Sequence, residues 1–466
     1  MSITDTISAI ATPLGEGSIG IVRLSGSEAK EILAKIFKPT NKSIKALELN
    51  SHTVYHGYIV EENDQVVDEV LVTYMQGPRT FTREDVVEIS CHGGVVPLNK
   101  ILKLTLTLGS RLAEPGEFTK RAFLNGRIDL AQAESIIDVI RAKTDAGLKV
   151  AVNQLEGKLS EKIVVLRNDL VSMLAQVEAN IDFPEEDIAP VNYDEFIIKT
   201  ENLLKELNLL AELAEEGKVY REGLKTAIVG KPNVGKSSLL NALAKENRAI
   251  VTDIPGTTRD VIEEIINLRG IPLKLMDTAG IRKTEDLVEK IGVKKSEALI
   301  KEADLVLVII DINQELSEDD LRIIEAAKDK NSILVMNKVD INEKGLNLEA
   351  ELAKKIKTIN EIPIVTISAK EKIGLGDLGK TVEKIVRRKG TTSVDNIAVS
   401  NTRHQALIKK SIIHLGSLKH SLKSDMAVDF LSIDISSCYE LLGEIIGETV
   451  GEDLIDQIFA DFCLGK

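Results

Sequence analysis

The sequence predicts a multidomain chain: an α+β unit comes first, a helical unit follows, and an α/β unit is inserted within the helical one. Three observations predict this. Short strand-like runs mixed with Gly/Pro turns fill about the first 120 residues. From about Leu130 apolar residues recur by threes and fours, the period of a helix with one buried face. Residues 224–388 alternate compact apolar runs with helical stretches before the helical period returns.

In the α+β segment, residues 19–24, 70–74 and 86–90 read as strands, the last leading into Cys91-His92-Gly93-Gly94. The helical segment carries Leu155, Leu159, Ile163, Leu166, Leu170, Leu174, Val177 and Ile181, which place one apolar stripe on a long helix. Pro184 and Pro190 end it. A second helix runs through Leu203, Leu207, Leu210 and Leu213, and Gly217 and Gly223 mark the junction that follows. Strands are then expected at 224–229, 272–276, 304–310, 332–336 and 362–367, forming a mainly parallel sheet covered on both faces. A polar linker at 391–396 precedes further helix through Leu407, Ile412, Leu415, Leu441, Ile445, Leu454 and Ile458. The implied division is 1–120, 121–217, 218–388 and 389–466, with the two helical blocks packing as one domain.

A chain of 466 residues can bury several cores without disulfides. Its three cysteines, Cys91, Cys438 and Cys463, are scattered, which argues against a secreted disulfide scaffold and fits a cytoplasmic setting. No Cys-x-x-Cys pair suggests structural zinc, and Cys91-His92 reads as structural. The opening residues carry Asp5 and no basic start, so no signal peptide is expected, and no apolar run is long enough for a membrane span. Lys plus Arg number 59 against 73 Asp plus Glu, a net charge of −14. Such a chain is a poor generic binder of nucleic acid, because affinity for phosphates comes mostly from basic residues.

The chemistry is concentrated in the third segment. Gly230-Lys231-Pro232-Asn233-Val234-Gly235-Lys236-Ser237, followed by Ser238, is a complete Gly-x-x-x-x-Gly-Lys-Ser loop between an expected strand and an expected helix. Its backbone N–H groups can curl around phosphate oxygens at a helix N-terminus. Lys236 is expected to neutralise the β- and γ-phosphates, and Ser237 to ligate Mg²⁺. Asp277-Thr278-Ala279-Gly280 closes a later strand, with Asp277 placed to hold the metal through water and Gly280 to sense the γ-phosphate. Asn337-Lys338-Val339-Asp340 follows another; Asp340 can accept from both guanine donors, N1–H and N2–H₂, which adenine lacks. Ser368-Ala369-Lys370 would complete the base pocket. Four motifs in this order indicate GTP and a Ras-like GTPase domain. Between the first two lies Asp253-Ile254-Pro255-Gly256-Thr257-Thr258-Arg259-Asp260, where one of two adjacent threonines should reach Mg²⁺. Ile281 stands where a Ras-like enzyme places a water-orienting Gln, so another group must orient water; Glu285, Asp286 and Glu289 are near.

Gly256-Thr257-Thr258-Arg259-Asp260 with Asn233 resembles the TrmE-type GTPases, the family also called MnmE. So do Asp5-Thr6-Ile7, Ala11-Thr12-Pro13, Gly116-Glu117-Phe118, the segment from Phe123 to Glu134 that contains Asn125-Gly126-Arg127, and the final Cys463-Leu464-Gly465-Lys466. The resemblance covers essentially the whole chain. It implies a GTP-hydrolysing tRNA modification enzyme working with the flavoprotein MnmG (GidA). Together they would install an aminomethyl or carboxymethylaminomethyl group at C5 of a wobble uridine. A tetrahydrofolate derivative (5-formyl or methylene form) bound by the first domain would supply the one-carbon unit.

Residue by residue, the resemblance implies folate contacts at Arg23, Glu88, Arg127 and Lys466, with Arg127 where some relatives carry Lys. It implies K⁺ held by Asn233, Thr252, Ile254 and Thr257, doing what an arginine finger does elsewhere. Thr258 then becomes the Mg²⁺ ligand and Glu289 the water-orienting acid. Cys463 has two readings, a nucleophile toward uridine or folate, or a packed thiol anchoring the tail. The family also implies a homodimer through the first domain and a heterotetramer or larger complex with MnmG. Two alternatives stay open: a regulatory GTPase switch without modification chemistry, and a folate-dependent methyltransferase acting alone.

Overall fold

The computed structural model describes residues 5–183, 190–247, 264–276, 292–341, 362–387 and 399–465. These fall into two compact units, one formed by the described residues up to Ile137 and from Glu440 onward, the other by those between Asp138 and Tyr439.

The first unit is built on a seven-stranded sheet, order β3-β4-β5-β6-β2-β1-β7. Its strands are β1 (Ile7–Ile10), β2 (Gly17–Ser25), β3 (Phe37–Pro39), β4 (Thr53–Val60), β5 (Val66–Met75), β6 (Val86–Gly93) and β7 (Arg111–Leu112). All pairings are antiparallel except β1 with β7. Alternation along β2 and β6 sends Val22, Leu24, Val87 and Ile89 into a core with helices α1 (Ala29–Ile36) and α2 (Val95–Thr107). The intervening Arg23 and Glu88 therefore face the other way, directly opposite each other in register. On that face Ile7, Ala9, Ala113 and Phe118 form a small apolar cluster with Phe81 beside it. Helix α3 (Glu117–Leu124) supplies Phe118, and its Phe123 packs with Phe459 and Phe462 from the far end of the chain.

The second unit contains helical segments and a six-stranded sheet of order β13-β12-β11-β8-β10-β9. The strands are β8 (Leu224–Val229), β9 (Glu264–Leu268), β10 (Ile271–Leu275), β11 (Leu305–Asp311), β12 (Ser332–Asn337) and β13 (Ile364–Thr366). The expected parallel strands are present. The missed member is β9, which pairs antiparallel with β10 across a turn at Arg269 and Gly270. Successive residues of β11 go to opposite faces: Leu305, Leu307 and Ile309 into one core, Val306, Val308 and Ile310 into the other. A continuous apolar run is what a strand covered on both sides requires.

The helices are α4 (Leu130–Arg141), α5 (Asp145–Leu155), α6 (Lys158–Asp182), α7 (Tyr193–Glu222), α8 (Lys236–Asn247), α9 (Gly292–Glu302), α10 (Glu318–Ala327), α11 (Leu375–Val386), α12 (Thr402–Lys423), α13 (Val428–Ile446) and α14 (Glu452–Ala460). The stripe read as one helix from Leu155 is interrupted, because Gly157 adopts φ +88° and caps α6 after α5 has ended at Leu155. Met173 is buried where Leu174 is half-exposed, so the stripe rotates by one position. Pro184 and the expected linker at 391–396 lie outside the described residues. Gly217 does not break the chain: it is buried inside α7, which runs to Glu222 and stops at Gly223. The two sequence-distant helical blocks do meet, since α12 lies along α7 with ion pairs Lys409–Glu215 and Lys419–Glu201. Near the end of the chain the buried residues are Leu442, Ile455 and Phe459 rather than Leu441, Leu454 and Ile458.

Candidate functional site: a nucleotide loop and a paired-charge surface

The phosphate loop leaves the carboxyl end of β8 and opens α8. Parallel β11, β12 and β13 end beside it, which puts the loops after them along one crevice. Gly230 and Gly235 have φ of +150° and +102°, and Asn233 has φ +63°, a region that Asn tolerates better than most side chains. A Cβ on Gly235 would stand 2.1 Å from Asn337 Nδ2, so only glycine admits that approach. Asn337, at the end of β12, joins two of the motifs. Its Nδ2 donates to Val234 O at 2.8 Å, and its Oδ1 accepts from Ala369 N at 3.0 Å. The side chain thus locks the phosphate loop to the Ser368-Ala369-Lys370 turn. That turn is closed by Ser368 Oγ accepting from Glu371 N and by the Ser368–Ile373 bridge.

Lys236 is part-buried with no carboxylate paired to it among the described residues. Its ammonium donates to the Gly230 and Lys231 carbonyls at 2.8 and 2.6 Å. Burial pushes its pKa down, the mark of a positive charge held where water does not fully solvate it. A phosphate anion arriving in the loop is the natural partner for such a group. Ser237, Ser238 and Asn233 are exposed around it. Asp340, in the short 3₁₀ turn Val339–Ile341, is exposed, with no hydrogen-bond partner among the described residues, and stands ready for a donor pair. Lys338 reaches Asp311 at 2.7 Å, and Lys370 is exposed near Glu371.

Several expected site residues lie outside the described residues: Thr252, Asp253, Ile254, Pro255, Gly256, Thr257, Thr258, Arg259, Asp260, Asp277, Thr278, Ala279, Gly280, Ile281, Glu285, Asp286, Glu289 and Lys466.

In the first unit, Arg23 and Glu88 form a cross-strand pair with Nε–Oε1 of 2.8 Å and Nη2–Oε1 of 2.7 Å. The guanidinium also donates to Gly465 O at 3.2 Å and lies 5.7 Å from the Phe118 ring centroid. The terminal segment therefore comes to the Arg23–Glu88 pair. Arg127 is held separately: its guanidinium sits 4.8 Å from the Phe81 ring centroid, and Phe81 adjoins the cluster on which Arg23 rests. Cys463 is exposed; its carbonyl accepts from Gly116 N at 3.3 Å, and the tail is anchored by buried Phe462 and Gly465 rather than by the thiol.

Sequence reasoning missed two charged networks. Arg121 is fully buried and donates to Asp5 O and Oδ1, to both Glu84 oxygens and to Glu117 Oε1 at 2.7–3.2 Å. The signal available was an Arg one helical turn after Glu117 in the short Glu117–Leu124 helix. The second is Lys231, whose ammonium pairs at 2.7 Å with Asp320, the residue closing the Ser317 capping box of α10.

Comparison with known proteins fits these observations. The family model described as "MnmE helical domain" matches residues 130–463, and "GTP-binding protein TrmE N-terminus" matches residues 6–127. The chain belongs to the MnmE family of tRNA modification GTPases. The MnmE protein of Desulforamulus reducens is 51% identical over 465 residues, covering 100% of both chains. Those of Bacillus subtilis and Clostridioides difficile are each 50% identical, covering 99% and 100% of this chain and 100% of their own. The MnmE helical match brackets the inserted sheet, which agrees with α7 and α12 packing together. Among the described residues no helix is long and apolar enough to cross a membrane.

Proposed function

We propose that this GTPase of tRNA modification hydrolyses GTP to drive, with the flavoprotein MnmG, the addition of an aminomethyl or carboxymethylaminomethyl group to C5 of a wobble uridine. The observation that carries the nucleotide half is the Asn337 bridge, which ties Val234 of the phosphate loop to Ala369 of the base-side turn. In this reading the Gly230–Gly235 backbone receives the phosphates, and Lys236 exchanges its two carbonyl contacts for phosphate oxygens. Asp340 accepts from guanine. Adenine in its place would leave the acid unmatched at a cost of about 1–3 kcal/mol.

The glycine cradle and the Lys236 charge, which meets no carboxylate among the described residues, suit a nucleotide with Mg²⁺. Ser237 and Thr258 would hold the Mg²⁺, with Asp277 acting through water. Asn233, Thr252, Ile254 and Thr257 would hold K⁺. Bound there, the cations supply positive charge near the scissile phosphate. Glu289 is proposed to orient water. In the first unit, the part-exposed Arg23–Glu88 pair beside Gly465 suits a ligand offering both a donor edge and an anionic group, as a tetrahydrofolate derivative does. Lys466 and Arg127 would add positive charge, and exposed Cys463 is the nucleophile candidate. The proposal includes a cytoplasmic homodimer and a complex with MnmG and tRNA.

The test is GTP hydrolysis in KCl and in NaCl, with and without Asn233→Ala. Activity should depend on KCl and fall at least ten-fold in the variant. Equal rates in the two salts would remove the K⁺ part. Reconstitution with tRNA and MnmG should yield modified uridine, and full modification without MnmG would refute the partnership.

A further inference from the structure

We propose that Asp311 is a positioning residue for the guanine end of the nucleotide site, clamping Lys338 so that Asn337 and Asp340 are held in a base-receiving arrangement. This rests on the guanine-nucleotide reading above. Asp311 ends a strand whose preceding six residues are all buried and apolar, and its own side chain is only 5% exposed. A carboxylate is a costly choice there unless its charge is used. It is surrounded by donors. Oδ2 accepts from Lys338 Nζ at 2.7 Å and from Gln314 Nε2 at 3.1 Å. Oδ1 accepts from Asn313 N at 3.1 Å and Asn313 Nδ2 at 3.2 Å.

The same turn grips the backbone that follows β12. Asp311 stands opposite Asn337 in the parallel register, and Ile312 N donates to Asn337 O at 3.1 Å. Asn313 Nδ2 also donates to Lys338 O at 3.2 Å. Lys338 has φ +69°, a conformation that a lysine holds only when its surroundings impose it. The clamp is what imposes it: one contact on the ammonium, one on the carbonyl. If the ammonium is released, the residue is free to return to negative φ. The peptide leading to Asp340 then turns, and Asn337 loses the fixed neighbour beside its bridge. None of these groups need touch the phosphates, so the effect belongs to base recognition.

The experiment uses the full chain and GDP binding by competition with a fluorescent GDP analogue. Asp311→Asn keeps the shape and removes the charge. It should weaken GDP at least ten-fold, mainly through faster dissociation, and raise the KM for GTP while changing kcat less than three-fold. On a Lys338→Met background the same substitution should add less than two-fold. Should the Asp311→Asn chain fail to fold, Asn313→Ala on the half-exposed turn carries the test, with an expected loss of at least three-fold. GDP affinity within two-fold of the parent in the folded variants, or an undiminished effect on the Lys338→Met background, would overturn the proposal. A parent chain that binds no GDP would instead reject the nucleotide reading itself.

Discussion

Arg121 shows how much depends on one side chain. It is fully buried, and its charge is met by Asp5, Glu84 and Glu117, with Arg111 gripping Glu117 and Asp5 from outside. Replacing it by Met leaves part-buried Glu84 without its arginine and leaves Asp5 and Glu117 to Arg111 alone, and breaking such a buried pair costs roughly 3–5 kcal/mol. Urea denaturation of Arg121→Met should show that loss; a change under about 1 kcal/mol would mean the acids find other partners. The network also sets a pH response. Burial works against ionisation of Glu117, but hydrogen bonds from Arg111, the Glu114 N–H and Arg121 prevail and hold its pKa below the ordinary value. Its contribution is therefore complete above the unfolded carboxylate range and fades as pH falls through roughly 4 toward the folded value. Glu117→Gln should reduce the slope of stability against pH in that window, measured by denaturant midpoints between about pH 3 and 6. The cysteines divide by burial too. Cys91 is pushed up to about 11 and Cys438 to about 12 by burial, whereas Cys463 is exposed. Limited alkylation at about pH 8 followed by peptide mapping should find Cys463 first, with the other two labelled only after unfolding.

Among the elements, the phosphate loop is the most tightly specified. Gly235→Ala would set a methyl against Asn337 Nδ2 on a backbone at φ +102°, disrupting the loop and its bridge together. GDP affinity should fall at least a hundred-fold in a titration while far-ultraviolet circular dichroism stays unchanged. The helical segments show where periodicity misleads. Leu155, Leu159 and Ile163 keep helical spacing across Gly157, so the count cannot register that the chain turns there. Gly157→Ala places an L side chain at φ +88°, at a cost of roughly 1–2 kcal/mol. A thermal melt of that variant should move down by several degrees. The apolar strands were readable because burial on both faces leaves no choice of residue type. By contrast β9, Glu264–Leu268, has an acid and an amide among its apolar residues and escaped notice, being an edge strand in a hairpin.

For the whole molecule, binding at the nucleotide crevice is linked to folding of the unit that holds it. A ligand at about a hundred times its dissociation constant adds about 2.7 kcal/mol. GDP should raise the unfolding midpoint of the full chain, and ADP at equal concentration should not; equal shifts would contradict guanine selection by Asp340. The local motifs, the order of segments and the presence of a βα-alternating insertion were determined by the sequence by itself, because each depends on neighbours within a few residues. Only the tertiary structure decided that Gly465 meets Arg23, that Asn337 spans two motifs and that Arg121 is buried among three acids. Apart from Arg121–Glu117, one helical turn apart, those contacts join residues 32 to 442 positions apart. Their partners are chosen by sheet register and core packing, which no local pattern records.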